Sequence, residues 1–191
     1  MRRILLLLAL TPVVQAVEPV SSMVREQHYI VYGRTIDDIR RSIIERSPVR
    51  NERGAFAADT KSHYKTTYRL VPVSQTECVL MDAEVKVESV VTLPKLAPGT
   101  LSPAAAAEWR RYYTALRAHE YLHVENGKES AQTTQQWLAS MKLSGPCHEA
   151  RPYVRVAIEA YILKLDERDQ QLDAITEHGR SQGAWLDARV R

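Results

Sequence analysis

No stretch of this 191-residue chain approaches the ~20 consecutive apolar residues that a membrane-spanning helix requires, so a lasting membrane span is not expected. An excess of one charge is also lacking. Twenty-six Lys and Arg against 23 Asp and Glu leave a formal +3, with the signs interspersed, so no basic stripe marks a nucleic-acid partner. Cysteine is scarce: only Cys78 and Cys147 are present, and neither has a second Cys or His at ligand spacing. A cysteine-based zinc site is therefore disfavoured even though His148 follows Cys147, and the pair reads instead as one disulfide of an oxidising compartment. Histidines and acids gather in only one region, which argues against a metal-buffering protein.

Residues 1–16 read as an export signal. Arg2 and Arg3 form a basic start, Ile4 to Leu10 is an unbroken apolar run, and Ala16 offers a small residue for cleavage. Removing that segment takes two arginines and no acid, and the net charge falls to +1. The expected product is a periplasmic or secreted protein, with residues 17–26 as a linker and 27–191 as a single domain.

Within 27–191, residues 27–32 are rich in β-branched and aromatic side chains and read as a strand. Thr35 followed by Asp38 forms a capping box, and Ile36, Ile39, Ile43 and Ile44 make one helical stripe over residues 35–46. Residues 51–59 read as a loop. Residues 61–73 alternate loosely and 78–92 more strictly, with Val79, Met81, Ala83, Val85 and Val87 on one face, predicting an antiparallel hairpin. Three prolines and Gly99 make 93–103 a linker. Ser102 before Pro103 is a helix start, and an apolar stripe predicts a helix over 103–143. Residues 152–177 read as a second helix, stopped by Gly179. The expected fold class is α+β: a small antiparallel sheet with one covering helix, then a long antiparallel helical hairpin.

The first long helix carries His119, Glu120 and His123 in the pattern H-E-x-x-H. Residues i and i+4 stack one turn apart, so both imidazoles can meet one metal ion. Glu120 sits about 100° round the helix from the first histidine, placed to act on a water rather than to ligate. The histidines lie on the core-facing stripe, where unpartnered imidazoles are costly to bury, so a metal or carboxylate partner is expected. Counting back through the hairpin brings residues 170–178 to the same level. The third ligand is sought there, with His178 preferred, Asp173 next (or else an outer partner of a histidine), and Glu129 last because it points away on a continuous helix.

These residues, the His-Tyr-Ile-Val-Tyr-Gly start, Thr-Leu-Pro after the long strand, and the ending D-x-x-T-x-H-G-x-x-Q-G-A from Asp173 to Ala184 together resemble a bacterial family. It is a domain-of-unknown-function family labelled predicted secreted zinc-dependent proteases, and the resemblance spans residues 27–186. The chain departs from its pattern at Leu172, where the family tends to carry Tyr. The resemblance implies a zincin-like metallopeptidase of the cell envelope, with His119 and His123 as zinc ligands, Glu120 as base and residues 173–184 contributing to the same site. Hydrolysis of peptide or protein substrates is the expected activity. Tyr112, Tyr113, Tyr121 and Tyr161 are candidate oxyanion donors, and residues 84–92 a candidate edge strand for peptide capture. The alternative from another class is a non-catalytic envelope binding module with a structural zinc or none.

Overall fold

The structure, a computed structural model, describes residues 20–190 apart from 53 and 100. The expected export signal over 1–16 lies outside the described residues. The architecture is α+β, with a three-stranded sheet, a two-residue β-ladder and three α-helices: β1 (Ser21–Val31), α1 (Ile36–Arg46), β2 (Arg50–Asn51), β3 (Gly54–Ala55), β4 (Asp59–Pro72), β5 (Cys78–Leu96), α2 (Pro103–Ser140) and α3 (Cys147–Thr176). A short 3₁₀ turn, Arg180–Gln182, comes after α3. No helix among the described residues is long and apolar enough to cross a membrane.

The sheet order is β1-β5-β4. β4 and β5 pair antiparallel as expected, but β1 runs parallel to β5, so the sheet is mixed rather than antiparallel. A parallel pair needs a long crossover, and α1, the β2–β3 ladder and β4 together supply it. Pairing with β5 also draws residues 21–26, expected as linker, into β1, and extends β5 through 93–96, expected as a second linker. β5 is thus the central strand. Residues 86–92 are paired on both sides and offer no free edge for a peptide; the sheet edges are β1 and β4.

The strict alternation expected along β5 is interrupted. The register with β4 slips between Thr67 and Arg69, and Asp82 takes a left-handed φ of 52°. One extra residue in β5 reverses which side chains face inward. Beyond the bulge Val85, Val87, Ser89, Val91 and Leu93 are buried; before it Leu80 packs inward and Met81 is exposed.

α2 lies across this inner face. Its start is the expected one, with the Ser102 hydroxyl accepting from Ala105 N–H and proline at the first helical position. Its first half packs with Val31, Ile36, Ile39, Val91 and Leu93, and its second half with Val85, Val87, Val154 and Ile158. Between the two, Gly127 meets the sheet. A Cβ there would sit 2.5 Å from Ser62 Oγ and 3.2 Å from Ser62 Cβ, and Ser62 and Ser89 are themselves bonded at 3.0 Å across β4 and β5. Small residues on all three elements allow the helix to rest directly on the sheet.

α3 begins at Cys147, five residues before the expected Pro152, which sits inside the helix. Cys147 and Cys78 form a disulfide that ties the start of α3 to the start of β5. Contacts between α2 and α3 pair His119 with Asp173, Asn126 with Asp169, Glu129 with Arg168 and Trp137 with Tyr161, so the helices run antiparallel.

Candidate metal centre

One turn of α2 faces one turn of α3. From α2 come His119 and His123, 2% and 6% exposed, on the stripe facing inward. From α3 comes Asp173, i+4 from Asp169 on the helix face turned toward them. The Nε2 atoms of His119 and His123 lie 3.3 Å apart, and Asp173 Oδ1 is 3.1 Å from the first and 3.2 Å from the second. Three donor atoms thus form a nearly equilateral triangle. These three residues are the metal-competent cluster among the described residues.

Outer contacts orient each donor. His119 Nδ1 is 2.9 Å from Gln182 Oε1; an amide oxygen only accepts, so Nδ1 carries the proton and Nε2 presents its lone pair to the triangle. His123 Nδ1 lies 2.8 Å from Asp169 Oδ1, off the axis of the ring N–H, and Asn126 donates to that same oxygen at 3.1 Å. The second oxygen of Asp173 is 3.2 Å from His178 Nδ1. These contacts leave Asp173 Oδ1, not Oδ2, facing the histidines.

Packing this many polar groups together shifts their proton affinities. Burial works against a charged His123, yet Asp169 and Asp173 outweigh it and lift the imidazole to about 10. Burial would likewise raise Asp173, but its close contacts with His119 and His123 and the charges of His123 and His178 hold it well below the carboxylate range. Glu120 goes the other way. Buried to 4% exposure, it is pushed up to about 6, against the opposing pull of the Thr60 hydroxyl, which donates at 2.8 Å to its Oε2, and of the two imidazoles.

His178, preferred as third ligand from the sequence, is not at the triangle. α3 ends at Thr176, and Glu177, His178 and Gly179 all take left-handed backbone angles, φ 51°, 53° and 78°. That reversal swings His178 outward, half exposed, with its ring 5.1 Å from Phe56 across the cleft. Asp173, one turn earlier and still helical, takes the position instead. Glu129 is also absent from the site, being exposed and paired with Arg168.

The segment after α3 is held for a reason that spacing alone does not reveal. A Cβ on Gly179 would come within 2.8 Å of the His119 ring, so glycine both adopts the turn and lets it close over the imidazole. Thr176 Oγ1 accepts from Gly179 N–H at 3.2 Å, and the 3₁₀ turn then aims Gln182 at His119. Glu108 and Arg111 of α2 fasten residues 183–187: Arg111 donates to the carbonyl oxygens of Gly183 and Trp185, and Glu108 accepts from Asp187 N–H at 2.7 Å. Sequence reasoning did not single out Gln182 or Glu108, and it placed Asp169 at the level of the motif without giving it a role. For Gln182 the available signal was its place inside the terminal motif.

The cleft over the triangle has a volume of about 760 Å³ and is bounded by the β2–β3 ladder, the first residues of β4, and the facing turns of α2 and α3. None of the four tyrosines considered as oxyanion donors lines it. Tyr112 is core, Tyr113 meets His28, Tyr121 donates to Glu26 and Tyr161 stacks on Trp137. His178 is the polar ring at its mouth.

The donor set fits zinc. Bonds of ~2.0–2.1 Å in a tetrahedron place ligand atoms about 3.3 Å apart, which is the edge length of the triangle, and two histidines with one carboxylate leave a fourth position open. Among known proteins, the model of a family described as "Bacterial protein of unknown function (DUF922)" matches residues 26–179, a span that includes all three donors and Glu120. No curated protein and no solved structure matches the chain.

Proposed function

The chain belongs to this DUF922 family of bacterial proteins, whose function is unknown, and from the site itself we propose that it is a zinc-dependent metallopeptidase of zincin type, acting outside the cytoplasm on peptide or protein substrates. The observation that carries the reading is the triangle of two imidazole nitrogens and one carboxylate oxygen beside a buried carboxylate that is not part of it. Two histidines and one carboxylate also suit non-haem iron. Glu120 favours hydrolysis: a carboxylate lifted to about 6 is poised to accept a proton near neutral pH.

His119, His123 and Asp173 would hold the zinc, which when bound would supply Lewis-acid chemistry to a water and a substrate carbonyl. Glu120 takes the proton of the attacking water and passes it to the departing amine. The Thr60 hydroxyl keeps Glu120 in one orientation, anchored also through the Glu120 backbone carbonyl at 3.1 Å. Gln182 and Asp169 hold the imidazoles, and His178 holds the far oxygen of Asp173. The free edge of β4 beside the cleft suits an extended peptide, in place of the central strand β5. The disulfide between Cys78 and Cys147 supports an oxidising compartment.

The test pairs metal analysis with one substitution. Purified protein is expected to carry one zinc per chain and to cleave unstructured polypeptide, and Glu120→Gln to keep that zinc while losing 10²–10⁴-fold in hydrolysis. Protein without stoichiometric zinc, or a Glu120→Gln variant as fast as the parent, overturns the assignment.

A further inference from the structure

The metal cleft does not end at the triangle. It continues into a slot of about 360 Å³ between β4 and α3, and the two share Thr60, Lys61, His63, His123, Asp169 and Asp173. Gly127 and Ser130 of α2 make the slot's floor, and Tyr64, Leu165, Asp166 and Gln170 its walls. Both residues are buried, and Gly127 rests directly on Ser62 of the sheet. The walls are apolar along Tyr64 and Leu165 and carry a carboxylate at Asp166.

Asp166 has no hydrogen-bond or ion-pair partner among the described residues. Its neighbour Asp169 is engaged by His123 and Asn126. Lys61 and His63 are exposed and border the slot, but neither is paired with Asp166, and Lys61 lies 3.5 Å from Asp59. Partial desolvation and the charge of Asp169 raise the carboxyl of the exposed Asp166.

We propose that this slot is a specificity subsite that accepts a lysine or arginine side chain of the peptide substrate, its stem along Tyr64 and Leu165 and its charge at Asp166. The proposal rests on the peptidase reading and names its substrate class. An aliphatic stem ending in a cation matches a slot that offers the apolar surfaces of Tyr64 and Leu165 beside the exposed, unpaired carboxylate of Asp166. Inward-facing residues of β4 give the distance: Thr60 is bonded to Glu120, Ser62 lies against Gly127, and Tyr64 bonds to Ser130. Four residues of strand from Thr60 to Tyr64 span ~13 Å, so an extended peptide beside β4 places the selected side chain three or four residues from the scissile bond.

Binding is measured with fluorescent peptides in which one lysine, or the uncharged norleucine of like stem, is walked along an otherwise constant sequence. Zinc-loaded Glu120→Gln and metal-free parent protein are both used, so the result does not depend on turnover. A lysine at one position, three or four residues from the bond the parent cleaves, is expected to bind at least tenfold tighter than norleucine there. Asp166→Asn is expected to erase that difference, and Asp166→Glu to restore part of it, with melting curves confirming that each variant folds. Equal binding of lysine and norleucine at every position, or a lysine preference that survives Asp166→Asn, overturns the subsite. Failure of the peptidase reading shows separately, as a lysine preference in binding without cleavage by the parent.

Discussion

Asp173 and His178 stand five residues apart, and the geometry gives them different tasks. Asp173 presents Oδ1 to both imidazoles, while His178 touches only Oδ2. Two substitutions separate the roles. Asp173→Ala is expected to abolish stoichiometric zinc, whereas His178→Ala should weaken zinc only about 10–100-fold, the usual cost of losing an outer partner. Competition against a chelator of known affinity reads both, and the reverse order would place His178 at the metal. Gln182→Ala belongs with His178: it releases the His119 tautomer and is expected to cost a similar 10–100-fold in zinc affinity without emptying the site.

At the scale of elements, the site depends on how closely α2 sits on the sheet and how the C-terminal segment is tied down. Gly127→Ala gains about 1 kcal/mol of helix propensity but forces a methyl against Ser62, and overpacking of this kind costs about 1–3 kcal/mol. A net loss of about 1 kcal/mol in chemical denaturation is expected, recovered when Ser62→Ala is added. Additive effects of the two substitutions would show that the helix is free to move. The C-terminal segment hangs on Glu108. Its bonds with Arg111, aided by Asp187 N–H and working against burial, hold its carboxyl below the ordinary 4.5. A lowered carboxyl contributes stability that is full above its unfolded value and is lost as pH falls through the folded one. Acidification from about pH 5 downward should therefore loosen residues 183–187 in hydrogen exchange. Glu108→Gln is expected to remove that acid sensitivity and to cost about 1.5–3 kcal/mol, the range for hydrogen bonds to a charged group.

At the scale of the whole molecule, the disulfide joins the sheet to α3, the element that delivers Asp173. Closing 69 residues of chain, it contributes about 4 kcal/mol in the chain-entropy view, so reduction should lower the denaturation midpoint markedly. If reduced and oxidised forms unfold together, the bond constrains nothing. The sequence alone determined what is local. The Thr35 box with Asp38, the Ser102-Pro103 start and the i, i+4 spacing of His119 and His123 depend on neighbours within one turn, and each has the predicted form. It also placed Asp173 and His178 at the level of the motif, because helix rise is constant. What it did not carry was long-range. The parallel docking of β1 joins residues 65 apart and the bulge at Asp82 arises from pairing with β4, whereas the end of α3 at Thr176 falls within one residue of the expected 177. The end of α3 decided the centre: with the chain reversing at residues 177–179, the still-helical Asp173 faces the histidines and His178 turns to the cleft mouth, a choice made by packing between α2 and α3 rather than by residue spacing.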